Sequence, residues 1–323
     1  MKRMAVAVNV AVAVAAVLLV QAAFAQDERP RNRFEQDILV DSFGYDESSP
    51  SSVAIGELYQ GCPRRDCIPS IDEPGYEAVE AAVRWLDEDA LVMTIDVNGD
   101  QRAFPVQILD RHEIVNDTIG GREVAVTWCP LCGSGVAFER RIDGEVVEFG
   151  VSGLLHGSDL VMYDRTSETL WQQITGEAFM GPKRGQTLDT VPLGFSEFGQ
   201  WADKHPNGQV LERPSRWGID YSRRPYGDYD ESDRLMFPAG KRDFSIHPKS
   251  VVFGFEIAGE KLAVMETSLS EGTLDVDFAG RSLMINRNND GTVVARDAQG
   301  NEWAAIRLFW FAWYNFNPET ARI

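Results

Sequence analysis

The chain is short of the residues that most often carry chemistry. Its 323 residues include four histidines and four cysteines, and lysine is rare too, so arginine supplies most of the 31 basic side chains. No glycine-rich phosphate loop occurs, and helical and strand-like segments do not alternate, so no nucleotide cofactor is expected. Positive charge is scarce overall: 31 Lys and Arg stand against 50 Asp and Glu, for a net charge of −19. Such a surface repels nucleic acid and anionic lipid at long range, and no nucleic-acid partner is expected. Internal repeats and low-complexity tracts are missing as well.

What is present begins with MKRMAVAVNVAVAVAAVLLVQAAFAQ. Lys2 and Arg3 precede an apolar run from Met4 to Val20, and Ala23-Phe24-Ala25 offers small residues before a cleavage point. This is the pattern of a secretory signal peptide over residues 1–25, cleaved after Ala25. A soluble periplasmic or secreted protein is therefore expected. No cysteine follows the run to carry a lipid anchor. No later segment is apolar enough over its length to span a bilayer. Cleavage removes Lys2 and Arg3 and no acid, which deepens the acidity.

Residues 26–67 read as a polar N-terminal arm ending in a loop that holds Cys62 and Cys67. In an exported protein these two are expected to form a local disulfide. Within IDEPGYEAVEAAVRWLDEDA, Ala78, Ala81, Ala82 and Trp85 fall at helical spacing and predict a helix of about ten residues. Beyond it the period shortens. LVMTIDVNGDQRAFPVQIL is two apolar runs around Asn98-Gly99-Asp100, a hairpin signal. FSEFGQWADKHPNG predicts a second short helix, stopped by Pro206 and Gly208. Residues 212–250 read as an ordered, irregular loop. SVVFGFEIAGEKLAVM predicts a hairpin, and residues 273–303 predict three strands. The closing IRLFWFAWYNFNPET is strongly aromatic and reads as core. The expected fold is mainly β (α+β), an antiparallel β-rich single domain over 68–323 with a few short helices.

Several segments, among them RAFPVQILDRHEIVNDTIGG, VTWCPLCGSGVAFERRIDG, FGVSGLLHGSDLVMYDR, LWQQITGEAFMGP and RRPYGDYDESD, resemble the family known as domain of unknown function 3179. The resemblance runs from about residue 68 to the C-terminus. It implies that the two β-rich halves form one domain, and it implies no activity. It places His112, Cys129 and Cys132 inside the family's own motifs. Three positions depart from the family pattern: the Cys62–Cys67 loop, His156, and Asn317, where histidine is usual.

HEIVNDTIGGREVAVTWCPLCGSGVAF, residues 112–138, is the densest stretch of candidate chemistry. A C-x-x-C pair such as Cys129 and Cys132 admits a disulfide or redox dithiol, buried free thiols, or a metal site. A small C-x-x-C ring is strained as a structural bridge. A redox pair of the thioredoxin kind needs a helix N-terminus behind the first sulfur. Here two glycines and a strand pattern follow instead. A C-P-x-C-G turn directs two sulfurs to one point, as zinc sites do. His112 is the expected third ligand, and a zinc or copper ion is the expected cofactor.

Glu113 and Asp117 are candidate general bases in the same turn. Asn116, Asp159, Asp164, Arg165, Trp171 and Gln172 are candidates for an adjoining pocket that takes a small molecule, with Asp164 and Arg165 also expected to form an ion pair. His205 and His247, each before proline, read as turn residues, and His156 is set aside because of the family departure. Two functions follow. One is an exported metalloprotein of unknown activity, a reading that extends to a metal-dependent enzyme with a Cys-x-x-Cys plus His site. The other is a non-catalytic envelope binding or scaffold protein whose C-x-x-C is a disulfide or redox pair. Oligomeric state is not legible.

Overall fold

The computed structural model describes residues 37–269 and 272–323. The signal peptide expected at 1–25 and the start of the arm, 26–36, lie outside the described residues. The remainder is mainly β: its strands form five sheets, and its five α-helices span four to seven residues each. Pairing is antiparallel nearly throughout, as the short hairpin-like runs dictate. Among paired strands the exceptions are Gln209–Leu211 beside Asp100–Pro105 and Ala321–Arg322 beside Glu260–Met265.

The central sheet is built on the hairpin Arg122–Cys129 and Ser134–Glu139. Ile114–Ile119 pairs on one side of it. On the other side lies Ile306–Phe309, joined through Arg307 opposite Gly135, followed by Val251–Ile257 and Glu260–Met265. The two β-rich halves of the chain thus share one sheet. A second sheet carries the hairpin Phe149–His156 and Asp159–Asp164, with Leu170–Gln172 and Ala178–Met180 beyond it. The largest core cluster draws on both sheets and includes Phe138, Phe149, Trp171, Phe309, Trp310 and Trp313. The closing aromatics are core, from the strand Ile306–Phe309 and the helix Trp310–Phe316.

The hairpin around Asn98-Gly99 forms as expected. Leu91–Val97 pairs with Asp100–Pro105, and Asn98 (φ 55°) and Gly99 (φ 84°) are both left-handed. A two-residue turn of this hand matches strand twist, and Asn-Gly tolerates it best. The helix Phe198–Lys204 also forms, ending just before Pro206. The first predicted helix is shorter than its spacing suggests. Only Val79–Ala82 is α-helical, because Tyr76–Ala78 is drawn into a sheet against Gln209–Leu211. Backbone pairing outweighs the helical stripe there. Residues 273–304 form four strands rather than three, the fourth being Glu302–Ala304. Between Leu211 and Val251 the chain makes one 3-10 turn, Ser215–Trp217, and otherwise irregular turns. Tyr221, Tyr229 and Ala239 anchor that stretch to the core.

Candidate metal centre

Cys129 is the last residue of its strand and pairs with Ser134 across a four-residue turn. Pro130 fixes its own φ, and Gly133 turns left-handed at φ 56°, so the chain reverses within Pro130–Gly133. The Cys132 N–H donates to the Cys129 carbonyl at 3.2 Å, which closes the turn. A Cβ on Gly133 would lie 2.8 Å from the Phe309 ring, so that ring packs where only glycine fits. The Phe309 N–H donates to the Cys132 carbonyl at 2.8 Å. The turn is therefore braced from the C-terminal half of the chain.

The hairpin turn Gly157-Ser158 of the second sheet meets this turn; both its residues are left-handed. The Ser158 carbonyl lies 3.4 Å from Cys132 Sγ and 4.0 Å from Cys129 Sγ. Asp159 follows it. One ligating atom from each of Cys129, Cys132 and Asp159 lies within 4.8 Å of the other two, and all three residues are buried. Asp159 Oδ2 accepts from Gln172 Nε2 at 2.5 Å and from the Ile174 N–H at 3.1 Å. Beside it, Ser134 Oγ donates to Gln173 Oε1 at 2.8 Å, and Gln173 Nε2 donates to Thr127 Oγ1 at 3.0 Å. Paired amides and hydroxyls thus lock the floor of the site.

Burial pushes the Asp159 carboxyl up to about 6, against the pull of the Gln172 and Ile174 donors. Burial also raises both thiols, Cys132 well above its ordinary value, where Cys129 and Asp159 add to the effect. Glu113 is pushed up to about 8 by burial first, then by Asp159 and Asp110. No cation is among the main influences on the two thiols or Asp159. Acids packed together in a dry site must either keep their protons or share a bound cation. Two sulfurs and one carboxylate oxygen suit a zinc ion, and three protein ligands leave a fourth position open.

His112 is not part of this group. Burial pulls its pKa down and leaves the ring neutral. Its Nδ1–H then donates to the Pro69 carbonyl at 2.7 Å, and its Nε2 accepts from the Tyr221 hydroxyl at 2.7 Å. Both nitrogens are spent, and the ring lies against Trp217 with centroids 4.5 Å apart. The expectation of a histidine ligand is corrected accordingly: the third converging group is Asp159. Glu113, next in sequence, is buried and electrostatically joined to Asp159 and Cys129. Its left-handed backbone, φ 58°, breaks the strand alternation and sends the two side chains apart.

Asp117 lies outside the centre. Its Oδ2 accepts from Tyr76 at 2.5 Å and from Arg102 at 2.6 Å, and its Oδ1 accepts from the Thr118 N–H. With both oxygens engaged, it braces the sheet rather than acting as a base. Tyr76→Phe is expected to cost about 1.5 to 3 kcal/mol, the worth of a hydrogen bond to a charged group, with metal content unchanged. A denaturant titration beside a metal analysis checks this. Asn116 also braces: its Nδ2 donates to Asp72 and to the Phe149 carbonyl, and its Oδ1 accepts from the Phe149 N–H.

The expected Asp164–Arg165 pair does not form. Asp164 is buried and accepts from Ser167 and from Trp171 Nε1, whereas Arg165 turns to Asp66 at 2.9 Å. Neighbours in an extended segment point to opposite sides. Trp171 is fully enclosed in the core. Gln172 does serve as a polar anchor: it donates to Asp159, and its Oε1 meets His156 Nδ1 at 2.6 Å. His156, set aside in the sequence reading, thus stands one residue removed from the centre. His247 is a turn residue whose Nδ1 accepts from the Lys249 N–H. Cys62 and Cys67 lie side by side, Cα atoms 6.3 Å apart, within the reach of a disulfide.

Tyr226 and Tyr229, in the irregular stretch, were missed as neighbours of the site. Burial raises the pKa of both hydroxyls first; Glu113 and then Cys129 add to it at Tyr226, and Cys132 and then Cys129 at Tyr229. Their only sequence signal is the motif RRPYGDYDESD, which composition alone does not connect to Cys129.

A family model described as protein of unknown function (DUF3179) matches residues 65–320, and the chain belongs to that family. No curated protein and no solved structure matches the chain.

Proposed function

We propose that this member of the family is an exported metalloprotein that holds zinc on Cys129, Cys132 and Asp159. The observation that carries the reading is the convergence of these three buried acidic groups, with no cation among the main influences on them. A carboxylate among the ligands favours zinc over copper(I), which prefers sulfur alone. When bound, the ion supplies Lewis acidity at its open position. Gln172 and the Ile174 amide orient the carboxylate ligand. Glu113, with its carboxyl at about 8, holds its proton near neutral pH and is the group suited to give one. The reading as a redox dithiol is disfavoured, since buried thiols with raised pKa are poor nucleophiles.

Cobalt(II) substitution tests the site. Metal-free protein titrated with cobalt should develop a sulfur-to-cobalt charge-transfer band. Cys129→Ser and Cys132→Ser should each weaken it, and the double change should abolish it. Asp159→Asn should keep the band with weaker binding. A band unaffected by either cysteine change would refute the assignment.

The proposal includes export by the segment before Gln26 and a bond between Cys62 and Cys67. Intact mass of the exported protein should begin at Gln26. Closing so short a loop stabilises by about 2 kcal/mol, so Cys62→Ser is expected to lose that amount in a denaturant titration. No loss would mean the pair stays reduced.

A further inference from the structure

A cleft of about 630 Å³ opens beside the Cys129–Cys132 turn. Trp128, Tyr226, Tyr229, Lys249, Arg307 and Phe309 are among its walls, and Pro130 of the turn itself borders it. Arg307 is the unusual member. Its side chain is 11% exposed, and its nearest carboxylate, on Glu266, lies 3.8 Å away, beyond hydrogen-bond length. Among the described residues its guanidinium makes no hydrogen bond; its other contact is the face of Phe195, 5.0 Å from the ring centroid. A guanidinium has five N–H donors, and here the described residues supply a hydrogen-bond partner to none of them. The other arginine of the cleft, Arg224, is by contrast paired with Asp230 at 2.6 Å.

The placement is built into the sheet. Arg307 pairs with Gly135 on one side and with Phe253 on the other. A Cβ at Gly135 would meet the Phe195 ring at 2.4 Å, so glycine there admits the ring over which Arg307 lies. Lys249 adds a second cation held by neutral groups: its Nζ donates to the backbone carbonyls of Ser232 and Arg234 and sits 3.8 Å from the Tyr229 ring centroid. Of the acids that line the cleft, Asp230 is held by Arg224, Asp110 accepts from Trp128 Nε1 at 2.8 Å, and Asp89 is exposed. In a chain of net charge −19, a buried lysine held by neutral groups and a largely enclosed arginine whose one ion pair, to Glu266 at 3.8 Å, leaves its guanidinium without a hydrogen bond mark a place for an anion.

We infer that this cleft binds a small oxyanion, a carboxylate or a phosphate, in a forked contact with the Arg307 guanidinium. The planar fork matches either group through two parallel N–H···O bonds. Phe309 and Trp128 offer apolar wall for whatever carries the anion. The site does not require the metal, so its failure and that of the metal assignment are separable.

The test is calorimetric titration of the full chain with succinate and, separately, with inorganic phosphate, each with zinc bound and after chelation. At least one probe should bind at millimolar concentration or tighter in both states, and the stronger probe identifies the source of the oxyanion. Arg307→Gln should weaken that binding at least tenfold while thermal unfolding stays cooperative. Arg307→Lys keeps the charge but not the fork, and should weaken it too; it carries the test if the glutamine variant does not fold. Absence of binding by both probes would overturn the inference. So would equal affinity in the folded variants, or binding that appears only with zinc, since the anion would then sit on the metal.

Discussion

Cys132→Ser protein is expected to carry at least tenfold less zinc than the wild type. Changing a group that only orients a metal ligand typically costs about 10–100-fold in affinity, and deleting one of three ligands costs more. Asp159→Asn should fall in the same range as Cys132→Ser, because the amide cannot supply the negative charge. Gln172→Ala should show the smaller, orienting loss, since it removes the donor to Asp159 Oδ2 and leaves the three ligands in place. His112→Ala should leave zinc content unchanged, because both ring nitrogens are committed to Pro69 and Tyr221. Stability should follow the metal. A ligand at 1,000 times its Kd adds about 4 kcal/mol to the folded state, and the serine variant forfeits that contribution. Metal content by plasma mass spectrometry and denaturant midpoints with and without zinc check the series. A variant order with His112→Ala lowest would move the site.

The second large effect is on pH. Glu113 sits at about 8 in the folded protein against an ordinary 4.5, and Asp159 at about 6 against 3.8. Both carboxyls therefore keep their protons to higher pH when folded than when unfolded. Between the ordinary and the folded values the native state binds more protons, so stability falls as pH rises. For metal-free protein the loss should begin near pH 4 and run to about pH 8, where it levels off. At about 1.4 kcal/mol per pKa unit, the combined effect is on the order of several kcal/mol. Zinc reverses the direction, because its ligands must lose their protons and its affinity rises with pH. Unfolding midpoints at pH 5 and pH 8, in chelator and in excess zinc, should slope in opposite senses. Glu113→Gln should flatten the metal-free slope. A metal-free protein whose stability is level across that range, and is unmoved by Glu113→Gln, would contradict the electrostatics described here.

Much of the fold was legible because its signals are local. The Asn98-Gly99 turn, the hairpin around Gly259 and the helix stopped before Pro206 each depend on a few adjacent residues. The helix of about ten residues predicted within 71–90 is shortened to Val79–Ala82 where a non-local pairing, Tyr76–Ala78 with Gln209–Leu211, competes with local spacing. The centre divides the same way. Cys129 and Cys132 could be placed on one turn from Pro130 and Gly133. The third group could not, because Asp159 comes from another sheet and reaches the thiols only through sheet-on-sheet packing. Nearness in sequence suggested His112, but the left-handed Glu113 turns it away from the thiols toward Pro69. Asp164 and Arg165 show the same limit: adjacent charges in an extended chain face apart. Gln172 was legible as a polar group in a strand-like motif, though not as the donor that orients Asp159. Tyr226 and Tyr229 lie in a stretch without periodicity, where burial leaves no sequence pattern.

The most direct measurement is metal analysis of untagged full-length protein, exported through its own N-terminal segment, paired with a free-thiol count after denaturation in chelator. About one zinc per chain and two titratable thiols, from Cys129 and Cys132, are expected. No metal together with no free thiol would contradict the centre and leave the pair as a disulfide.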